Sequence, residues 1–250
     1  FEETQAKFDT AFKGIEDRAE QTAKSLSDNF NLSSNSSKRL LADTGDLLKG
    51  FGFTADEALN LSNRTQELAA DLASYNNIQG GTTRASRILT KAIVGNKEGL
   101  KELGISILDS DIKNQMLIDG TEDLTGQARL AAKAQATFKL ALQQTGDAQG
   151  DMARTSDSFA NQMRRLKADT EDLAVSLGKK LLPTANKIIT AINKIDFSEL
   201  IQNETVKRIA KVVAGFAGLV AILGGVATAI ALVSNPLVQF GALSGVVAKL

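Results

Sequence analysis

Phe159-Ala-Asn-Gln-Met-Arg-Arg-Leu-Lys-Ala-Asp-Thr-Glu-Asp-Leu-Ala-Val-Ser-Leu177 decides how the chain is read. Phe159, Met163, Leu166, Thr170, Leu173 and Leu177 recur at alternating steps of four and three, and the pattern runs on to Leu181. That spacing brings one side chain per turn onto a single stripe of an α-helix and defines a heptad seam. Off the stripe, Arg165 and Lys167 precede Asp169 and Glu171 by four residues, where opposite charges on a helix can meet. They read as a solvated face, since nothing converges on them to make a carboxylate site. Pro183 is expected to end or kink this helix.

The same signature occurs at the other end. Phe1, Phe8, Phe12, Ile15, Ala19, Thr22 and Leu26 fall on a second seam, with Gln5 at one core position. Three heptads leave two readings open: a partner helix covers the stripe, or the helix packs on its own domain. Two polar or glycine-bearing stretches follow, Leu32-Ser-Ser-Asn-Ser-Ser-Lys38 and Lys49-Gly-Phe-Gly-Phe53, and both read as hinges.

Thr54-Ala-Asp-Glu57 has the spacing of a capping box, so a helix is predicted from Thr54 to about Ala73. Asn76, Asn77, Gly80 and Gly81 stop it, and a second helix follows over Thr83 to Val94. Gly95-Asn-Lys-Glu-Gly99 breaks the chain before a short helix with Leu100 and Leu103. It lacks the Lys-Ser/Thr ending of a phosphate-binding loop. Gly104 to Leu108 is a short apolar run, read as a buried connector. Thr121 to Thr145 is Ala- and Leu-rich and is predicted helical, with Gly146 placed as its C-terminal glycine.

Composition narrows the chemistry. The 250 residues contain no His, Cys or Trp and only two Pro. Thiolate chemistry and disulfides are excluded, and the usual base of a Ser nucleophile and commonest metal ligand are missing. We therefore expect no catalytic residues, no metal site and no cofactor. Twenty-nine basic and twenty-nine acidic side chains cancel, so no basic footprint calls for specific nucleic-acid binding. The chain opens on Phe1 and closes within an apolar pattern, which reads as an excerpt of a longer polypeptide.

The closing pattern is unusual. Val212 to Val233 contains Thr228 as its one polar side chain, and as a helix it would reach about 33 Å, against roughly 30 Å for a bilayer core. Ala214, Gly215, Gly218, Ala221, Gly224, Gly225 and Ala229 place small residues where helices could approach closely. Lys207, Arg208 and Lys211 flank one end, and Asn235-Pro236 could turn the chain into a hairpin. A membrane span and a wholly buried core helix both fit.

The expected fold class is all-α: coiled-coil and bundle segments around a compact helical middle region, with a membrane-capable apolar helix or hairpin at the C-terminus. The expected domains are an N-terminal helix and hinge over 1–50, a multi-helix domain over 51–150, a heptad segment over 151–205 and the apolar segment over 206–250.

The order of several stretches resembles one known family. Gly52-Phe-Thr-Ala-Asp-Glu-Ala-Leu-Asn-Leu-Ser62, Leu68-Ala-Ala-Asp-Leu-Ala-Ser-Tyr-Asn-Asn77, Ala92-Ile-Val-Gly-Asn-Lys-Glu-Gly-Leu-Lys-Glu-Leu-Gly-Ile105 and Asp157 to Pro183 together resemble bacteriophage tail tape measure proteins. The resemblance covers about Gly52 to Ile195. It implies a structural ruler inside the tail tube that sets tail length during assembly and leaves at infection, its apolar segment aiding genome passage. The implied partners are sister copies in a small cyclic oligomer, the tail tube protein, tail tip or baseplate proteins, tail assembly chaperones and the host membrane. The implied locations are the tail lumen, the host cytoplasm during assembly and the host membrane after ejection. A membrane-inserting pore or anchor with no ruler role is the alternative.

Overall fold

The computed structural model describes residues 1–193, which form helices α1 (Glu2–Ala11), α2 (Glu16–Phe30), α3 (Ser34–Gly50), α4 (Ala55–Tyr75), α5 (Gly81–Ile93), a 3-10 helix (Glu98–Leu103), α6 (Asp109–Ile118), α7 (Gly126–Gln144), α8 (Asp151–Arg154) and α9 (Phe159–Asn193). No strand occurs among the described residues. The chain divides into a compact unit from Phe1 to Arg165 and a second unit beginning at Leu166, with α9 crossing the boundary.

Two apolar clusters build the first unit. Phe8, Ala11 and Phe12 from α1 and its end join Ala19, Ala23 and Leu26 of α2, Leu41 and Ala42 of α3, and Leu59 of α4. The second, larger cluster joins Leu48 and Phe53 to the inner faces of α4, α5, the 3-10 helix, α6 and α7. The extended connector between the 3-10 helix and α6 buries Ile105 and Ile107 in that cluster. Its backbone needs partners there, and the Gln144 amide supplies both: Ser106 N donates to Gln144 Oε1 (2.9 Å), and Gln144 Nε2 donates to the Ser106 carbonyl (2.8 Å).

Helix α4 is nucleated as its sequence predicts. The Glu57 amide donates to Thr54 Oγ1 (3.3 Å), while the Thr54 amide donates to Glu57 Oε2 (2.9 Å), which closes the box. Two further carboxylates anchor helix starts. Asp71, buried on α4, accepts from the amides of Gly150 (2.7 Å) and Met152 (3.0 Å), pinning the start of α8 across 79 positions of chain. Asp111 Oδ2 accepts from the Leu108 amide (2.8 Å) at the start of α6.

Several expectations are corrected. The Leu32–Lys38 hinge is a helix start instead: Ser33 Oγ accepts from the Ser36 amide (3.1 Å), and serines favoured in turns are favoured for the same reason as N-caps. Gly146 does not supply a left-handed end to α7, which stops at Thr145 with φ −120° while Thr145 Oγ1 bonds the Ala141 carbonyl (2.7 Å). Of the two outcomes expected at Pro183, an end does not occur: α9 continues to Asn193 with the proline inside it, one backbone hydrogen bond short there.

The expected membrane-capable helix is the main correction. Among the described residues no helix is long and apolar enough to cross a membrane. The stretch 212–233, with Ala214, Gly215, Gly218, Ala221, Gly224, Gly225 and Ala229, lies outside the described residues. What remains of the expected fold class is its all-α part.

Candidate interaction surfaces

The N-terminal seam is not one helix. Gly14 takes φ +90°, a left-handed conformation that non-glycine residues adopt at a cost, and the chain breaks there between α1 and α2. The Gly14 amide donates to Glu16 Oε1 (2.9 Å), and this bond holds the Glu16 carboxyl below its ordinary pKa.

Both halves of the seam then face inward. Phe8, Phe12, Ala19 and Leu26 are buried, and Ile15 is half-buried against them. The Phe8 and Phe12 rings meet edge to face, with centroids 5.2 Å apart. Helix α3 receives this stripe, and it does so through Gly45: a Cβ there would stand 2.7 Å from Phe12 Cζ. The seam is thus covered by the chain's own third helix, and no apolar stripe is left on α1 and α2 for a coiled coil with a sister copy.

The second seam is continuous. Phe159, Met163, Leu166, Leu173 and Leu177 all lie on α9, a single helix of 35 residues, or about 52 Å. Leu166 is 48% exposed and Leu173 55% exposed, while Met163 and Leu177 are half-buried. Leucines spaced seven apart and open to solvent on a long helix form the edge a second helix would cover.

One cleft stands out on the first unit. It has a volume of about 580 Å³ and is floored by Phe53, Leu61 and Phe138, with Glu57, Asn60 and Arg64 of α4 facing Gln135 and Lys139 of α7, and Asp119 and Thr121 between them. Its acids are already engaged. Glu57 closes the capping box, and its hydrogen bonds to the Thr54 backbone and hydroxyl lower its pKa. Asp119 accepts from Lys139 Nζ (2.5 Å) and from Gln115 Nε2 (2.9 Å), and the Lys139 bond foremost lowers its pKa. Arg64 lies over the Phe138 ring at 5.1 Å, a cation–π contact that covers the ring.

Glu57 is thus engaged in capping α4, and Asp119 joins the end of α6 to α7 through Lys139. Among the described residues no three His, Cys, Asp or Glu side chains gather as a metal site would require. Sequence reasoning did not find the cleft, because Arg64 and Phe138 are linked only by the fold. It also missed Leu108, Leu117 and Ile118, which project from α6 and its start into solvent. The short period of α6 left no stripe to read.

Searches of protein-family models, of curated proteins and of solved structures find nothing that matches this chain.

Proposed function

We propose that this chain is a segment of a phage tail tape measure protein, a structural ruler that packs against copies of itself inside the tail tube, sets tail length during assembly and leaves at infection. Helix α9 carries the reading: it is long, uninterrupted, and presents Leu166 and Leu173 uncovered along one seam. A rod that must lie beside identical rods needs such an edge. The order of the segments from Gly52 to Pro183, which resembles the tape measure family, supports the same reading.

Two properties suit the task. Electroneutrality keeps a protein that shares a tube with passing DNA from gripping phosphates. Length in a helix is simple arithmetic, about 1.5 Å per residue. The proposed partners are sister copies, the tail tube protein, tail tip or baseplate proteins and assembly chaperones, and no reaction is assigned to the chain. The genome-passage role rests on 212–233, outside the described residues, and forms no part of the proposal.

Deleting residues 163–176 in frame, in the phage whose tail carries this protein, should shorten the tail by about 21 Å if this part is read as helix length. Tails of unchanged length in electron micrographs would remove α9 from the ruler.

A further inference from the structure

Asp71 stands on the buried face of α4 between Ala70 and Leu72, where an ionised carboxylate is costly unless it is paired. Its partners come from a helix that does not stand alone. Helix α8 has four residues, too few to persist as a helix in water, and Asp71 accepts from the amides at its start, Gly150 (2.7 Å) and Met152 (3.0 Å). Nearly one turn further along α4, the Ser74 hydroxyl shares a hydrogen bond of 3.1 Å with Thr155 Oγ1. Asn161 on α9, 1% exposed, closes the group by donating to Thr155 Oγ1 (2.8 Å) and to the Thr155 carbonyl (2.9 Å). Arg164 adds a bond to Asn77 Oδ1 (3.3 Å), just past the end of α4.

Apolar packing adds little to this attachment. Among the described side chains none after Ala148 belongs to either apolar cluster, and Met152 is the one large apolar side chain fully buried between residues 150 and 165. Every hydrogen bond named above has both partners satisfied when closed, and water replaces each of them on opening. A neutral pair therefore contributes little net stability, and the two bonds to the Asp71 carboxylate contribute most. A segment with few buried apolar contacts, held chiefly by hydrogen bonds that water can replace, opens locally while the core around it stays folded.

We propose that residues 150–165, which comprise α8 and the first two turns of α9, form a strap latched to α4 by Asp71, and that this strap lifts while both apolar clusters remain folded. Closed, it holds the beginning of α9 against the end of α4. Open, it frees that beginning without unfolding α4, α5 or α7. The device belongs to the fold and does not depend on the tape measure reading.

Native-state hydrogen exchange of the full chain at rising urea concentrations reads the strap through the amides of Met152, Thr155 and Gln162, which donate to Asp71, Asp151 and Ser158. They should exchange through an opening at least tenfold more frequent than that of the α5 and α7 amides, with a smaller urea dependence because less surface is exposed. Two variants separate the latch from the core. Asp71→Asn keeps the shape of the side chain but turns one of its two acceptor oxygens into a donor, and should make strap opening at least tenfold more frequent. Ile93→Val thins the larger cluster, which the open strap leaves intact, so it should make opening of α5 and α7 severalfold more frequent and leave that of the strap unchanged. Strap amides that open together with α5 and α7 at one urea dependence overturn the proposal. So does an equal effect of Ile93→Val on both sets, or strap exchange in Asp71→Asn that matches the wild type.

Discussion

Phe8–Leu26 and Phe159–Leu177 carry the same apolar spacing, and the fold treats them in opposite ways. The first stripe is cut at Gly14 and sealed against α3, with Phe12 wholly buried. The second lies on one unbroken helix with Leu166 and Leu173 half open to water. A heptad pattern states that a stripe must be covered, and is silent on what covers it. The deciding features are local: a glycine at positive φ that folds one stripe back, and Gly45, whose missing side chain makes room for the Phe12 ring.

The contrast can be broken most severely at its buried end. Phe12→Ala empties the centre of the N-terminal cluster and should cost about 3–5 kcal/mol in urea denaturation, while leaving α9-mediated self-association intact. Loss of association in that variant would mean that the two seams are not independent. Gly45→Ala probes the same site from the other side. Its Cβ would stand 2.7 Å from Cζ of the fully buried Phe12 ring, so a loss of about 1–3 kcal/mol is expected, the usual range for overpacking. A neutral result would show that the ring yields.

A smaller effect sharpens the contrast between a buried stripe and a capped helix end. Thr54→Ala opens the capping box and should cost about 1 kcal/mol. The pH dependence has a definite sign. Glu57 has a folded pKa below its usual 4.5, from its bonds to Thr54. Its contribution is therefore full above that usual value and is lost as pH falls through the depressed one. The wild-type chain should lose stability on acidification in this window, and Thr54→Ala should lose less of it. Equal acid dependence in both would assign the shift to the backbone amide at position 54, which the variant keeps.

Much of the helical layout was legible. The Thr54–Glu57 box, the stop at Asn76–Gly81 and the break at Gly95–Gly99 follow from capping and turn chemistry that act within a few residues, whereas of the apolar run read as a buried connector only Ile105 and Ile107 are covered and Leu108 is exposed. What stayed hidden depends on distant partners. Leu32–Lys38 reads as a hinge because its serines serve caps and turns alike, whereas in the fold Ser33 caps α3, whose Leu41 and Ala42 pack with Phe8 and Phe12. The Arg64–Phe138 contact, the Asp71 clasp on α8 and the buried hydrogen bonds linking Gln66, Thr44 and Thr90 join residues 22 to 81 positions apart, beyond any periodicity. The seam of α9 was legible as a pattern, and its exposure was not.

Sedimentation velocity of the full chain at micromolar concentration, compared with a Leu166→Asp, Leu173→Asp variant, bears most directly on the self-packing rod. The wild-type chain should sediment as an oligomer and the variant as a monomer with an unchanged helical circular dichroism spectrum. A monomeric wild type, or an oligomer that survives both aspartates, would contradict it.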